Sequence, residues 1–597
     1  MDFLNITSME NNNYFVERIL RKYLFPTILT ILGTTVISFI NSIIAGKTLG
    51  KEALTAMNIV SSFTFLFAMF GCLIYIGAAS CASVAIGEDN QERVGAYTSY
   101  ALAGSVVIPI LISVPCMIFF EEFMRILGAD EDLYLLSADY ARIMLAFGFL
   151  TTLMYYPFNF LRLDGRAKSA TYIFGSMAVM DVLLVLLFTH FNMGLFGFGL
   201  AVVISTAVAD IVGLLFLFLP GNSHVKLGRF PFRGIGQLSY EVWARGSAAG
   251  LNNLCNMLRT MVLNAWVLRY MGVDGASEFA VACSVVNFTA ASVSGCGQTI
   301  SPLVGIFYGE KDVTSMRMLM KSAVKYAVVL HFIVCLVAIP ASRLIAGLYG
   351  MDTEPLLSET ASAVDWVVIS LIPAAIVNIY IYYYSTLKKT VISCTLTFAR
   401  AFGFVILFAW LLLASGHTRF FFASFMLAEL ATILLMAVIV HVVHMRTPNI
   451  SGFLLMNNTP NENYISFSVE NTAAGAVDAS EKMAAFCDEN SINPKFKMLL
   501  PMALEELLII VNDHCLNDRG SQYIDVRIFL DQDGLLLRIR CGGIVFDPVA
   551  WYRSRSKQMS VEEMLMDDSL GMKMIVEQAK SVTFQNTFGV NNLIVVM

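Results

Sequence analysis

The chain has 597 residues, of which 57% are hydrophobic and only 14% charged, with a net charge of −6. A soluble protein carries about 25% charged residues, so an ordinary water-soluble fold is excluded for most of this chain. The lack of a basic tract speaks against a nucleic-acid partner. Its 11 cysteines are scattered, without CxxC or metal-ligand spacing, and read as small apolar packing groups.

Residues 1–23 are polar and of mixed charge (Glu10, Glu17, Arg18, Arg21, Lys22). They have no short apolar core before a small-residue cleavage site, so no signal peptide is expected. Twelve apolar segments follow, near 24–46, 57–82, 96–120, 136–158, 168–190 and 196–219, then 246–270, 277–306, 322–347, 364–386, 391–414 and 420–444. Runs of about 20 apolar residues are long enough to cross roughly 30 Å of hydrocarbon. The turns after spans two, four, six, eight and ten carry the cations: Arg93; Arg162, Arg166 and Lys168; Lys226, Arg229 and Arg233; Lys311, Arg317 and Lys321; Lys388 and Lys389. The opposite turns are poorer in them, and one is acidic (Glu121, Glu122, Asp130, Glu131, Asp132). This bias predicts an inner-membrane protein with both termini cytoplasmic.

The expected division is a six-helix bundle over 24–222, a second over 223–445, a linker over 446–465 around Asn457–Asn461, and a soluble α/β domain over 466–597. In that domain the pattern predicts an amphipathic helix over 494–515. Ile524, Val526, Ile528 and Leu530 alternate with Asp525 and Arg527 as a half-buried strand does. Asp533-Gly534 then reads as a hairpin turn into a second strand over 535–540.

The membrane halves repeat. Leu49-Gly50 and Ile86-Gly87-Glu88 in the first correspond to Met271-Gly272 and Tyr308-Gly309-Glu310 in the second, each 222 positions on. The same offset brings Arg166 onto Lys388. Six spans per repeat preserve orientation, so parallel repeats about an axis near the membrane normal are predicted, with substrate bound between them.

An ionisable side chain at mid-membrane costs about 2.5–3.5 kcal/mol on insertion scales and is a functional candidate by default. Asp181 lies in the fifth span, Asp210 in the sixth, Arg259 in the seventh, Arg400 in the eleventh and Glu429 in the twelfth. Asn252, Asn256 and Arg259 fall at i, i+4 and i+7, on one helix face. That face reads as cavity lining, the alternative being polar glue between helices. Asp181, Asp210 and Glu429 all stand as partners for Arg259.

The stretch Ala45-Gly46-Lys47-Thr48-Leu49-Gly50, Gly87-Glu88, the turn Leu161-Arg162-Leu163-Asp164-Gly165-Arg166, and Met180-Asp181 followed by Gly194 to Gly199 resemble MATE exporters over roughly residues 20–445. The resemblance implies twelve helices in two six-helix bundles and cation-coupled export of amphipathic organic compounds. Asp181 is similar to an acid that in some relatives belongs to a proton- or sodium-linked network with the first span. There the relatives carry aspartate and this chain has Asn41, which can offer sodium a carbonyl oxygen but cannot exchange a proton. The bland alternative for Asp181 is a structural hydrogen-bonding group.

The last 120 or so residues resemble the GHKL-type ATP-binding fold of anti-sigma-factor and histidine kinases. Ala503-Leu504-Glu505-Glu506-Leu507 to His514-Cys515 looks like the N-box, Ile539-Arg540-Cys541-Gly542-Gly543-Ile544-Val545-Phe546-Asp547-Pro548 like G1, and Ser569-Leu570-Gly571-Met572-Lys573-Met574-Ile575 like G2. The resemblance implies nucleotide contacts from Glu506, Gly543, Asp547 and Gly571. The chemistry departs from the pattern, however. The magnesium-ligating asparagine is Ile510, with Asn512 about 200° round the helix. The adenine-reading aspartate is Cys541, a poor acceptor, and the first G2 glycine is Ser569. A binding pseudo-domain is expected, with weak ATP/Mg binding as the alternative. There is no Walker A sequence.

The leading expectation is therefore a secondary antiporter for small organic compounds, coupled to Na+ or H+, with membrane lipids around it and a cytoplasmic domain that regulates it or docks a regulatory protein. No catalytic or metal site is expected. The rival readings are a membrane-tethered signalling protein with a transporter-like sensor, and a lipid-linked sugar flippase, which would want a more cationic cavity.

Overall fold

The computed structural model describes residues 2–126, 131–218, 225–230, 234–349, 351, 353–457, 464–490, 492, 494–516, 522–531, 534–555, 570–587 and 589–597. The chain forms two compact units: Leu20–Met456, and a second that joins Met1–Ile19 to Asn457–Met597.

The larger unit is helical. It is built from α1 (Asp2–Thr48, whose start belongs to the other unit), α2 (Lys51–Gly87), α3 (Gln91–Ile118), α4 (Phe120–Ile126), α5 (Glu131–Ala146), α6 (Gly148–Leu153), α7 (Tyr155–Leu163), α8 (Ala167–His190) and α9 (Gly194–Phe218). Then come α10 (Ile235–Gly309), α11 (Val313–Ala338), α12 (Ser342–Leu348), α13 (Glu354–Ile369), α14 (Leu371–Thr386), α15 (Thr390–Phe398), a π turn (Ala399–Gly403), α16 (Phe404–Ala414) and α17 (Ala423–Arg446). Among the described residues, ten helices are long and apolar enough to cross a membrane. The number is eleven if the pair Tyr134–Ala146 and Gly148–Leu163, bent by 56°, is one span. Twelve were predicted. The stretch before Gly272 in α10 falls outside this set because Asn252, Asn253, Asn256, Arg259, Asn264 and Arg269 interrupt its apolar run.

The repeat is visible in the backbone. Gly50 (φ 89°) and Gly272 (φ 72°) turn the chain at equivalent places, as do Asp89 (56°) and Lys311 (57°). Asn90 caps α3 by accepting the Arg93 N–H at 3.0 Å, and Asp312 caps α11 by accepting the Ser315 N–H at 2.9 Å. Each pair is 222 positions apart. Equivalent residues also touch. A Cβ on Gly87 would lie 2.2 Å from the Ile306 carbonyl oxygen, and one on Gly309 2.3 Å from that of Val84. Only glycine permits such backbone approach, and contact between equivalents marks a local two-fold axis.

The offset then drifts. Gly165 (φ 85°) matches Lys388 (φ 59°), 223 positions on, so Arg166 pairs with Lys389 and not with Lys388 as a constant offset predicts. Past the π turn the helix ends at Asn192 and Gly416 match at 224, through bonds to Thr189 and Leu413. A π turn accommodates one residue more than an α turn, which accounts for the second insertion. Each half keeps its own apolar core, one around Phe63, Phe67, Tyr140 and Phe198, the other around Leu263, Phe279, Val367 and Phe421.

After α17 come β1 (Ile450–Ser451) and β2 (Met456–Asn457). Between them, Phe453 to Leu455 strap onto the end of α14. Tyr383 and Tyr384 hydroxyls donate to the Leu454 and Phe453 carbonyls at 2.9 and 2.5 Å, and Lys389 Nζ to that of Leu455 at 2.7 Å.

The second unit holds β3 (Tyr464–Glu470), α18 (Ala473–Glu489), α19 (Pro494–Val511), β4 (Tyr523–Asp531), β5 (Gly534–Cys541), α20 (Pro548–Arg555), α21 (Leu570–Gln578), β6 (Ser581–Thr587) and β7 (Val590–Val596). The strands form one antiparallel sheet in the order β3-β4-β5-β7-β6. Asp531 faces Gly534 across the hairpin, while Asp533 lies outside the described residues. Alternation puts Val526, Ile528, Leu537, Ile539 and Val595 into a core with Met483, Leu504, Leu507 and Ile575. The other face is polar yet buried: Arg527 bonds Asp525 at 2.9 Å, with Arg538, Arg540 and Asn592 beside them. The chain's N-terminal segment belongs here, with Arg18 donating to Gln522 at 3.1 Å and the Phe15 ring 6.0 Å from the Arg540 guanidinium.

Replacing Gly309 by valine is expected to force α2 and α10 apart, at about 1–3 kcal/mol by analogy with overpacked cores. The thermal unfolding midpoint of the purified protein should fall. Gly175→Ala, with nothing within 4 Å of the added methyl, should leave it unchanged.

Candidate functional site

Three helices of the first half bring together Asn41, Asp181 and Ser205. Asn41 Nδ2 donates to Asp181 Oδ2 at 2.7 Å and Ser205 Oγ to Oδ1 at 3.1 Å. All three are buried, and Asn41 Oδ1 has no hydrogen-bond partner among the described residues. The cluster therefore offers a carbonyl, a carboxylate and a hydroxyl oxygen, a hard donor set suited to a small cation. Asp210, further along α9 and near Tyr75, is buried with neither carboxylate oxygen hydrogen-bonded among the described residues.

The second half builds a different centre. Arg400, in the π turn, donates from Nε to Glu429 at 2.7 Å and from Nη1 to Asn378 Oδ1 at 3.4 Å. Arg259 lies over the Phe425 ring at 5.4 Å and reaches the Ala401 carbonyl at 3.5 Å. Of its three candidate partners only Glu429 is nearby, and Arg400 holds that carboxylate. Asp181 and Asp210 belong to the first half.

Between the halves lies a cavity of about 90 Å³, with Cys72 and Ile76 on one side and Asn252, Asn253, Gln298, Asn378 and Tyr382 on the other. Asn252 is where its helix face predicted. Asn256, on the same face, is not part of this lining. Asn378 joins the cavity to the Arg400–Glu429 pair. Sequence reading missed Asn253, Gln298, Asn378 and Tyr382, because neutral polar residues in a span carry no charge signal.

At the end bearing the cation-rich turns, the halves are tied by Glu241. It accepts from Lys388 at 2.9 Å, from Arg93 at 3.3 Å and from the Tyr97 hydroxyl. Burial pushes this carboxyl up, but the hydrogen bonds from Tyr97 and Lys388 and the charges of Lys388 and Arg93 outweigh it and hold it below the usual glutamate value. The tie is therefore present above the ordinary glutamate pKa and is lost as pH falls through the depressed one.

The family model described as MatE matches residues 26–188 and 248–411, more than half of the chain, in two stretches that begin 222 residues apart. The chain is a member of the MatE family. It is 25% identical over 328 residues to the probable multidrug resistance protein YoeA of Bacillus subtilis, covering 53% of this chain and 69% of that one. To the multidrug export protein MepA of Staphylococcus aureus (strain MSSA476) it is 21% identical over 349 residues, 57% of this chain and 75% of that one. Its fold resembles the bent form of the Vibrio cholerae MATE transporter VcmN (TM-score 0.65, 18% identity, 71% of this chain and 96% of that one). It also resembles a multidrug resistance MATE transporter in its outward-facing conformation (TM-score 0.67, 17% identity, 70% and 94%).

Outside the MatE match, the C-terminal candidates fall as follows. Glu506 is half-buried on α19, and Ile510 sits in the apolar core. Gly543 has φ 100°, and a Cβ there would meet the Cys515 carbonyl oxygen at 1.9 Å. Asp547 caps α20, accepting the Val549 and Ala550 N–H groups at 2.9 and 3.0 Å. Gly571 lies in the first turn of α21, and Ser569 lies outside the described residues. The His514 ring stacks on Phe546 at 4.3 Å, with Trp551 against both.

Within the MatE portion, Arg400→Met strands the Glu429 carboxylate and is expected to cost about 3–5 kcal/mol, whereas Arg400→Met with Glu429→Leu should recover most of that. Thermal unfolding of the single and double variants checks it. A double variant no more stable than the single would mean the pair is not coupled.

Proposed function

We propose that this MatE protein exports small organic compounds by cation-coupled antiport, alternating the access of a cavity between its two repeats. The observation that carries this reading is the polar cavity on the seam, walled by both halves and tied shut at one end through Glu241. The names of YoeA and MepA support a multidrug substrate range. The Lys/Arg bias supports an inner membrane with both termini cytoplasmic, so the tied end faces the cytoplasm. On this reading the stretch before Gly272 is a twelfth, polar crossing that lines the path. Asn41, Asp181 and Ser205 favour Na+ as the coupling ion, because the amide beside Asp181 offers an oxygen and cannot accept a transferable proton.

The test is ethidium flux in proteoliposomes. An imposed Na+ gradient should drive efflux, and Asp181→Asn should cut the driven rate at least tenfold. A proton gradient alone driving full flux would replace Na+ by H+, and flux insensitive to either gradient would sink antiport.

The C-terminal domain then regulates the transporter or docks a cytoplasmic protein, without hydrolysing ATP. The GHKL-like reading rests on motif order, and three observations support a pseudo-domain: Ile510 is core, Cys541 is buried, and Asp547 is occupied as a helix cap. Calorimetric titration of the full-length protein with ATP is expected to give no heat at high micromolar nucleotide, with or without magnesium. Micromolar, magnesium-dependent binding would overturn the pseudo-domain.

A further inference from the structure

Beside the seam cavity lies a smaller chamber of about 20 Å³ that shares Ile76, Gln298 and Tyr382 with it. It has room for one water-sized group. Its lining is largely paired by the repeat: Ile76 with its equivalent Gln298, Ser80 with its equivalent Pro302, and Asn159 with its equivalent Tyr382. One wall residue breaks the symmetry by charge. Arg162, at the end of α7, lines the chamber, while its equivalent in the second half is Ser385.

Counting by sequence, Arg162 is one more cation in a cytoplasmic turn. In the fold it is 4% exposed. Its Nη2 donates to the Gln298 carbonyl at 3.2 Å, and its guanidinium lies over the Phe158 ring at 5.0 Å. Among the described residues its Nε is buried with no partner, and so is the hydroxyl of Ser80, another lining residue. No carboxylate stands within ion-pair distance of it among the described residues, and Asp164, two positions on, is engaged by Arg166 at 3.2 Å. Arginine keeps its charge inside proteins, and a buried charge without a counter-charge is strongly unfavourable. The chamber is thus lined by a fixed cation and a serine, each carrying a buried polar atom without a partner among the described residues, and it shares three wall residues with the larger cavity.

We infer that Arg162 seats an anionic group of the transported compound. One oxygen of a carboxylate, sulfonate or phosphate enters the small chamber, held by the guanidinium and the Ser80 hydroxyl, while the body of the molecule lies in the adjoining cavity among the side-chain amides of Asn252, Asn253 and Asn378. The protein therefore handles anionic or zwitterionic amphipaths. This deepens the export reading and rests on it.

The test uses full-length protein in proteoliposomes with two dyes, anionic carboxyfluorescein and cationic ethidium. Wild type is expected to move carboxyfluorescein. Arg162→Gln should lower its flux relative to ethidium at least tenfold, Arg162→Lys should stay within about threefold of wild type, and Ser80→Ala should weaken it about threefold. An unchanged dye ratio in Arg162→Gln would overturn the assignment. If wild type moves neither dye, the export reading fails, and binding decides the site separately through the thermal midpoint of the purified protein. Stabilisation by carboxyfluorescein that Arg162→Gln and Ser80→Ala both weaken upholds it. Stabilisation by inorganic phosphate alone makes it an inorganic-anion site and overturns the organic ligand, and stabilisation by neither overturns the site. Should Arg162→Gln not fold, the Ser80→Ala and Arg162→Lys ratios decide the assignment in its place.

Discussion

The membrane portion is organised by a place where two helix backbones touch. Gly87 and Gly309, equivalent in the repeat, meet where any side chain would collide with the opposite carbonyl. A second approach lies along the same seam, where Gly77 faces the Val242 carbonyl and Gly246 that of Leu73. In lipid no hydrophobic drive pulls helices together, so close packing at small residues has to do so. Those glycines bring α2 against α10. Side chains of both helices then line the seam together, Cys72 and Ile76 from α2 with Asn252 and Asn253 from α10. Had these positions carried Cβ atoms, the halves would stand further apart and the cavity between them would lose its definition.

Once the repeat brings the helices together, departures from it become informative. The offset grows from 222 to 223 before the turn at Lys388, and to 224 across the π turn. That second extra residue sits where Arg400 lies. A π turn is less favourable than an α turn and persists mostly where it aims a side chain. Here it accompanies the ion pair with Glu429, 2.7 Å away, and the contact from Arg400 to Asn378 that reaches the cavity. The insertion and the charge pair are one feature.

Much of this was legible in the sequence. Span positions followed from apolar runs, and the repeat from Gly-Glu turns whose backbone angles prove equivalent. The hairpin between β4 and β5 followed from the Asp533-Gly534 turn, and β4 itself from the alternation with Asp525 and Arg527. The seventh stretch was read as another apolar span although its amides and arginines set it apart. Neutral residues such as Gln298 and Asn378 gave no signal, since an amide in a span is as common in packing as in binding. Arg162 was misplaced for a definite reason. Charge counting assigns every cation near a helix end to the aqueous turn, yet the bend between α5 and α7 draws this one into the seam. Likewise the N-terminal segment was read only as a polar cytoplasmic stretch, but Arg18 bonds Gln522 within the smaller unit.

The two polar centres of the membrane unit stand in the same place in each half. Asn41, Asp181 and Ser205 come from the first, fifth and sixth helical stretches of one repeat; Arg259, Arg400 and Glu429 come from the matching stretches of the other. Ser205 and Glu429 are equivalent at the offset of 224. A six-helix repeat that packs those three stretches together creates a buried polar niche twice, and each niche has to be satisfied on its own terms. In the second half a carboxylate was placed where the first has a hydroxyl, and an arginine answers it, so one of its oxygens is held by a fixed cation. In the first half the carboxylate of Asp181 meets only an amide and a hydroxyl, and among the described residues no side-chain cation neutralises it. On the antiport proposed above, the first niche, where oxygen atoms remain available, is the one that would hold a mobile cation, and Arg400 and Arg259 would exclude it from the second. The electrostatic asymmetry between the two niches follows from which residue stands at one pair of equivalent positions.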